Sequence, residues 1–422
     1  MARMTRRKWL SLAGAGLLGL VGLRWLVPRV LRSGASRRPG AEAAAFAERC
    51  FDGLDRSRVW DVHVHLIGLG AEGSGCRVNP EMLSHLHPIK RFQFDVYKSG
   101  AGIDDPATAD ADYVARLLGL QQAMNPGGKA VLLAFDDYVD EQGNPRPELS
   151  PLYTPNEYAL RVADAHPEFL AGASVHPYRR DAVERLDRAV AGGAVAVKWL
   201  PNAMGIDPAS PLCDTFYRRM AELRLPLLTH GGKEYAVDSG MHQDLGNPLR
   251  LRRALDAGVR VVVAHCASMG SYRDLDATGE PQRPSFDLFL RLFTDPRYEK
   301  NLHADISTLA HVHHGVQPLR TLLTAPELHS RLFYGSDYPL PALRFLVLPG
   351  KLELAGLLDG ADRPLCDELF DVNPLLFDFA VNRALRVVDG GRTYRFAPEV
   401  FETARLFRGI NRLPSAASNA SA

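Results

Sequence analysis

Cysteine is scarce in this chain. Five occur in 422 residues, at positions 50, 76, 213, 266 and 366, with no C-x-x-C pair among them. Their odd number and scatter exclude a disulfide framework, and each reads as a structural free thiol. Acidic side chains are missing from the first 40 residues, which hold nine basic ones. The overall net charge of +1 therefore leaves −8 on the rest of the chain. A body of that sign lacks the basic footprint of a nucleic-acid-binding protein. The N-terminal apolar run, Trp9 to Leu23, falls short of the roughly 20 residues that span a bilayer. What remains is ordinary for a soluble globular protein, with 46% hydrophobic and 23% charged residues.

The leader is not fold material. Thr5-Arg6-Arg7-Lys8 precedes the apolar run as the charged region of a signal peptide precedes its hydrophobic region. It resembles the twin-arginine type, which implies export of a folded protein to the periplasm. Ser33-Gly34-Ala35 is a candidate cleavage triplet. If Arg24 snorkels, the run reaches Val27 and leaves a membrane tether instead. A cytoplasmic protein with a basic leader is the bland alternative. The expected division is a leader over 1–40, a main domain over 41–385 and an extension over 386–422, with a disordered tail from Pro414.

Short apolar runs end at His65, Asp136, His176, Lys198, His230, His265, Asp305 and Asp337. From Lys198 onward the steps are 32, 35, 40 and 32 residues, each the length of one strand-helix unit. Helical stripes fill the gaps, with Ala182, Val183, Leu186, Ala189 and Val190 in one and Leu212, Phe216, Met220 and Leu223 in the next. Near-continuous apolar strands such as Val261-Val262-Val263-Ala264 predict a parallel sheet covered by helices. Eight of them predict an α/β fold, a (β/α)8 TIM barrel with a C-terminal helical extension. An open doubly wound sheet is the alternative. Three stretches fall outside the repeat: a Gly- and charge-rich insertion at 66–108, a loop at 137–154, and the segment after about 365. Gly68-x-Gly70-x-x-Gly73 fits a dinucleotide pattern, but no helix pattern opens after it, so it reads as loop.

The chemistry is concentrated at strand ends. His63 and His65 share one face of a strand, because side chains at i and i+2 point the same way. Such a pair is common on ordinary strands, so its meaning depends on what joins it. Lys198, His230 and His265 each end a later apolar run, and Asp337 lies in Gly335-Ser336-Asp337-Tyr338-Pro339. A lysine ending a buried strand must be paired, deprotonated or modified. Imidazole and carboxylate ligands suit zinc, manganese or ferrous iron.

This set resembles the amidohydrolase superfamily of metal-dependent barrel hydrolases, and within it the amidohydrolase-related branch that also includes decarboxylases. The resemblance covers residues 57–380, about three quarters of the chain. It implies a divalent metal, zinc first, held by His63, His65 and His230. Asp337 would be a ligand or the general base, and His265 a second-metal ligand or catalytic imidazole. Lys198 matches the position of a carboxylated lysine bridging two metals in binuclear members. A bound metal lowers the pKa of water from 15.7 towards roughly 7, so hydrolysis of an amide, lactam, lactone or ester is expected. Decarboxylation of an unsaturated or aromatic acid is the second reading, and a non-catalytic binding barrel the third. The expected partner is a small molecule; oligomeric state is open.

Other polar residues carry weaker signals. His176 and His242 are candidate substrate contacts, with a core or second-layer histidine the alternative for His176. Lys233, a further candidate substrate contact, sits with Arg91, Lys98 and Arg273 in loops over the same face, where they could clamp an anionic group, although most loop charges are simply solvated. One of His303 and Asp305 is placed to orient a ligand from behind. His311, His313 and His314 read as the solvated start of a helix rather than a metal tract.

Overall fold

The structure, a computed structural model, describes residues 32, 38–237 and 242–411. Apart from Arg32 and residues 38–40, the leader with its Ser33-Gly34-Ala35 triplet lies outside them, as does the tail from Pro414.

Eight parallel strands follow one another round a single sheet in chain order: β1 (Trp60–His65), β2 (Lys129–Leu133), β3 (Phe169–Ala173), β4 (Ala196–Trp199), β5 (Leu227–Thr229), β6 (Val261–Val263), β7 (Leu302–Asp305) and β8 (Leu332–Phe333). Beyond β8 the ring closes onto β1, where Val62 N–H donates to Tyr334 O at 3.4 Å and His65 N–H to Tyr338 O at 3.0 Å. The predicted (β/α)8 barrel is therefore the fold, and the open sheet is not. Strands two and three stop short of the predicted Asp136 and His176. Those two residues bond each other instead, the His176 N–H donating to Asp136 Oδ2 at 2.8 Å.

Val62, Val131, Leu133, Val195, Leu228, Val262 and Phe333 fill the barrel interior. The helix Ala182–Ala191 buries Ala182, Leu186, Ala189 and Val190, as its spacing predicts. In the next unit the helix runs Asp214–Leu223 and buries Phe216, Met220 and Leu223, whereas Leu212 precedes it and is exposed. Past the helices Arg363–Val372 and Pro374–Ala384 comes a hairpin, Val387–Asp389 against Arg392–Tyr394, and then turns rather than helix. The end of this extension inserts Leu406 into the interior cluster and stacks Phe407 on Trp60 at 5.7 Å. Trp60 opens β1, so residues 386–411 seal the N-terminal mouth of the barrel.

The opposite mouth is roofed by the insertion after β1. It is more ordered than its composition suggests, with helices at Pro80–Leu83 and Pro88–Gly100. Each starts on a proline at the first helical position, where the missing N–H costs nothing. Arg77–Val78 pairs antiparallel with Leu152–Tyr153, tying the insertion to the loop after β2. In the Gly68–Gly73 segment the N–H groups of Leu69 and Gly70 are taken by the Asp110 carboxylate, at 2.6 and 3.2 Å. A phosphate there would face that fixed negative charge, so the loop reading stands. All five cysteines are buried and free. Among the described residues no helix is long and apolar enough to cross a membrane.

Candidate metal centre

The C-terminal strand ends gather His63 and His65 (β1), Lys198 (β4), and the residues just past β5, β6 and β8: His230, His265 and Asp337. Close approach there is bought with backbone strain. His265, Cys266 and Ala267 are left-handed, at φ 55°, 50° and 48°, and so are Thr308 and Asp337 at 55° and 58°. Non-glycine residues rarely adopt this region, at a cost of order 1–3 kcal/mol each, and such positions cluster at active sites.

His63, His265 and Asp337 are buried, with ligand atoms all within 4.8 Å of one another. Asp337 Oδ1 lies 3.0 Å from His65 Nε2 and 3.4 Å from His63 Nε2, and its Oδ2 lies 3.7 Å from His265 Nε2. The His230 ring packs edge-on to that of His265, centroids 5.4 Å apart. Lys198 is fully buried, and its Nζ donates to His63 Nε2 at 2.8 Å.

A layer behind these groups fixes their tautomers. His63 Nδ1–H donates to Asp305 Oδ2 at 2.9 Å, which leaves the Nε2 lone pair facing the centre. Ser307 gives its hydroxyl proton to Asp305, so Ser307 Oγ accepts from His265 Nδ1–H at 2.8 Å, and His265 Nε2 also faces inward. His230 Nδ1 faces Glu234 Oε2 at 3.5 Å. His63 and His265 thus turn the same nitrogen towards Asp337. Asp61 braces two of the strand ends, accepting the N–H of His63 at 3.0 Å and of Ser336 at 2.9 Å.

Burial pushes the pKa of His63 and His230 down and that of His265 to about 3, so all three stay neutral, the form that binds metal. Burial likewise lowers Lys198, against the opposing pull of Asp337 and Asp305. For Asp337 burial acts upward, but the surrounding imidazoles, His63 first, outweigh it and hold the carboxyl well below its usual range. One buried atom of this centre, His230 Nε2, has no hydrogen-bond partner, and Asp337 Oδ1 has His65 Nε2 beside it at 3.0 Å. Leaving such a group unsatisfied costs about 1–3 kcal/mol. A divalent cation fits the donor set of two neutral imidazoles, His63 and His265, and the Asp337 carboxylate.

The other candidates fall elsewhere. His176 is not a substrate contact: it is fully buried, its Nε2–H donates to Met204 O at 2.9 Å, and its Nδ1 accepts the Tyr178 N–H at 3.2 Å. His242 is exposed, 3.4 Å from the Tyr138 hydroxyl and away from the ligand cluster. Lys233 lines a hollow beside the centre with its Nζ over the Tyr272 ring, 4.8 Å from the centroid. Arg91 is held by Asp95 and the Leu83 carbonyl, and Arg273 pairs with Glu280. Lys98 does line the cleft above the centre. Of the strand-seven pair, Asp305 is the orienting residue; His303 instead packs against Phe333.

The predicted solvated helix start at His311–His314 is overturned. The next helix begins only at Gln317, and His311 and His314 are buried. Thr308 Oγ1 lies 3.0 Å from both His314 Nε2 and His265 Nδ1, so this segment backs the centre. Asp61, Glu234, Ser307 and Thr308 were not singled out by the sequence. Ser307 and Thr308 follow Asp305 at once, and that polar cluster at a strand end was the one local signal for them.

Three solved structures of low identity are similar over much of the chain. A putative 2-pyrone-4,6-dicarboxylic acid hydrolase from Pseudomonas putida is 17% identical, with 76% of this chain and 97% of that one covered and a TM-score of 0.43. A 5-carboxyvanillate decarboxylase from Sphingomonas paucimobilis is 11% identical, with 83% and 99% covered and a TM-score of 0.45. An uncharacterized TIM-barrel protein from Bordetella bronchiseptica is 13% identical, with 77% and 99% covered and a TM-score of 0.44. No curated protein matches the sequence. The sequence model described as Amidohydrolase, in its second branch, matches residues 60–355. The chain belongs to this amidohydrolase family, whose members are metal-dependent enzymes acting on small molecules.

Proposed function

We propose that this enzyme hydrolyses a carbonyl compound, an ester, lactone, lactam or amide, with zinc as the resident metal. The observation that carries this reading is Asp337: a buried carboxylate at the inner end of the cleft, with an oxygen within 4.8 Å of ligand nitrogens of His63 and His265. His63, His65, His230, His265 and Asp337 would hold the metal, with Lys198 beside them. A divalent cation there supplies Lewis acidity towards water and the substrate carbonyl.

The chain's own groups do the rest. Asp337 Oδ1 takes the proton of the attacking water as its oxygen bonds to the carbonyl carbon, and returns it to the leaving oxygen or nitrogen as that bond breaks. Neutral His265, its Nδ1 held by Ser307, keeps its Nε2 3.7 Å from Asp337 Oδ2 and limits where that carboxylate can swing. The roof over 66–108 restricts water to the reacting face.

The test is turnover by purified, zinc-loaded protein on a panel of esters, lactones and amides beside aromatic and unsaturated acids. Hydrolysis lost in Asp337→Asn supports the reading. Release of CO2 without any hydrolysis moves the site to decarboxylation, the reaction named for the Sphingomonas protein. We further propose that the leader exports the enzyme to the periplasm, cleaved or retained as a tether; fractionation of cells carrying Arg6→Lys, Arg7→Lys protein tests it.

A further inference from the structure

Above the ligand cluster, the walls of the cleft come from segments in which the sequence has no recognisable motif. Ile67 and Leu69 follow β1, Met82 and Phe94 come from the two insertion helices, and Val78 and Leu152 from the ribbon that ties the insertion to the loop after β2. The cavity itself has a volume of about 120 Å³ and opens to solvent at its mouth. Its inner end is His65, Lys198, His230, His265 and Asp337.

The polar groups on these walls are few and mostly committed. Glu234 accepts the Val237 N–H at 3.1 Å and faces His230. Burial raises the Tyr97 phenol, so it stays neutral. Among the described lining residues there is no arginine, and besides Lys198 the one cation is Lys98. Lys98 also lines the neighbouring surface hollow, which places it where the two spaces meet.

We propose that the substrate of this site is an uncharged carbonyl compound bearing an apolar chain, its carbonyl at the ligand cluster and its chain along the Ile67–Met82–Leu152 wall. This rests on the hydrolytic reading and adds the substrate class. Two physical arguments support it. An anionic group lodged against these walls would surrender its hydration with no guanidinium in return and, besides Lys198, only Lys98 at the edge to pair with, which is disfavoured. Each methylene moved from water onto them contributes instead, at about fourfold in affinity. The insertion after β1 and the loop after β2 then set chain length, while the strand ends do the chemistry.

The test separates binding from turnover. Zinc-loaded, full-length protein is titrated calorimetrically with straight-chain 1-alkanols from butanol to decanol, and with alkanesulfonates of equal length, which are poor metal ligands. Affinity is expected to rise about fourfold per methylene in the alcohols, and each alcohol to bind more tightly than its sulfonate. Val78→Trp and Leu152→Trp, both at partly exposed ribbon positions, are expected to flatten the rise beyond the length at which the chain meets the new ring. A flat alcohol series, or sulfonates binding more tightly in a Lys98-dependent way, overturns the proposal. A γ-lactone series of rising side-chain length is then assayed for hydrolysis. Turnover that ignores chain length also overturns it. Alcohols that bind with the expected slope, with no ester, lactone or amide cleaved, sink the hydrolytic reading and leave the apolar cleft standing.

Discussion

Asp305 accepts the Nδ1–H of His63 on one oxygen, at 2.9 Å, and the backbone N–H of His265 on the other, also at 2.9 Å. One carboxylate at the end of β7 therefore positions two ligands from β1 and β6. Removing such an orienting partner commonly costs 10–100-fold in metal affinity. Asp305→Asn keeps the size but allows the amide to present its NH₂ to His63, favouring the wrong tautomer. We expect zinc affinity, measured by chelator competition, to fall within that range while the circular dichroism spectrum is unchanged. Wild-type affinity in the variant would mean the ring is held by packing alone.

Direct ligands should matter more than their supports. His63→Ala and His230→Ala are each expected to lower bound zinc and turnover together, by more than about 100-fold in affinity. Elemental analysis after gel filtration, paired with steady-state rates, checks it. Full metal and activity in both variants would remove the centre from the chemistry.

Lys198 poses a sharper question. Its Nζ sits on the His63 Nε2 lone pair, 2.8 Å away, where the proposed metal would bind. Reaction of the neutral amine with CO2, releasing one proton, turns it into a carbamate that shares that metal instead of competing for the lone pair. About two zinc ions per chain are expected in bicarbonate buffer and about one in Lys198→Ala. A single ion in both, insensitive to bicarbonate, would make Lys198 a neighbour and not a bridge.

Why was so much of this centre legible beforehand? The parallel barrel repeats at a nearly constant interval, so apolar runs and the polar residues that end them recur along the chain, and Lys198, His230 and His265 stand out one unit apart. The orienting layer is different. His63 and Asp305 are 242 residues apart, and nothing local to either announces the bond. Asp61 works through backbone N–H groups, which any sequence has. His311 and His314 misled because a polar tract normally faces water, whereas here left-handed Thr308 turns the chain back beneath the centre. The insertion at 66–108 was legible as an insertion, but its helices were not, because Gly68 to Gly75 dominates its composition and the helix at Pro88–Gly100 buries only Phe94, Val96, Ser99 and Gly100.

Acid should weaken the fold through His176. Burial lowers its pKa from 6.5 to about 4, so the folded ring refuses a proton that the unfolded chain accepts. Stability from this source is full above pH 6.5, is lost as pH falls towards 4, and changes no further below that. The shift corresponds to at most about 3 kcal/mol. Urea midpoints at pH 7.5, 5.5 and 4.5 should therefore fall less steeply in His176→Gln than in wild type, whatever the variant's baseline. Parallel slopes would show that the ring is protonated in the fold.

The extension beyond residue 386 is expected to contribute stability without touching catalysis. Leu406 is buried among Val62, Val131, Leu228 and Phe333 at the end of the barrel away from the ligands. Its neighbours are strand side chains fixed by the sheet, so they cannot collapse into the space a smaller residue leaves. Leu406→Ala should then cost about 2–5 kcal/mol, the range for buried leucines whose cavities stay open. Zinc content and turnover at 25 °C should be unchanged, because the interior layer of branched side chains separates the two mouths. A loss below about 1 kcal/mol by urea denaturation would mean that the extension rests on the barrel rather than closing it. A parallel loss of zinc would mean that the interior layer transmits strain to the strand ends.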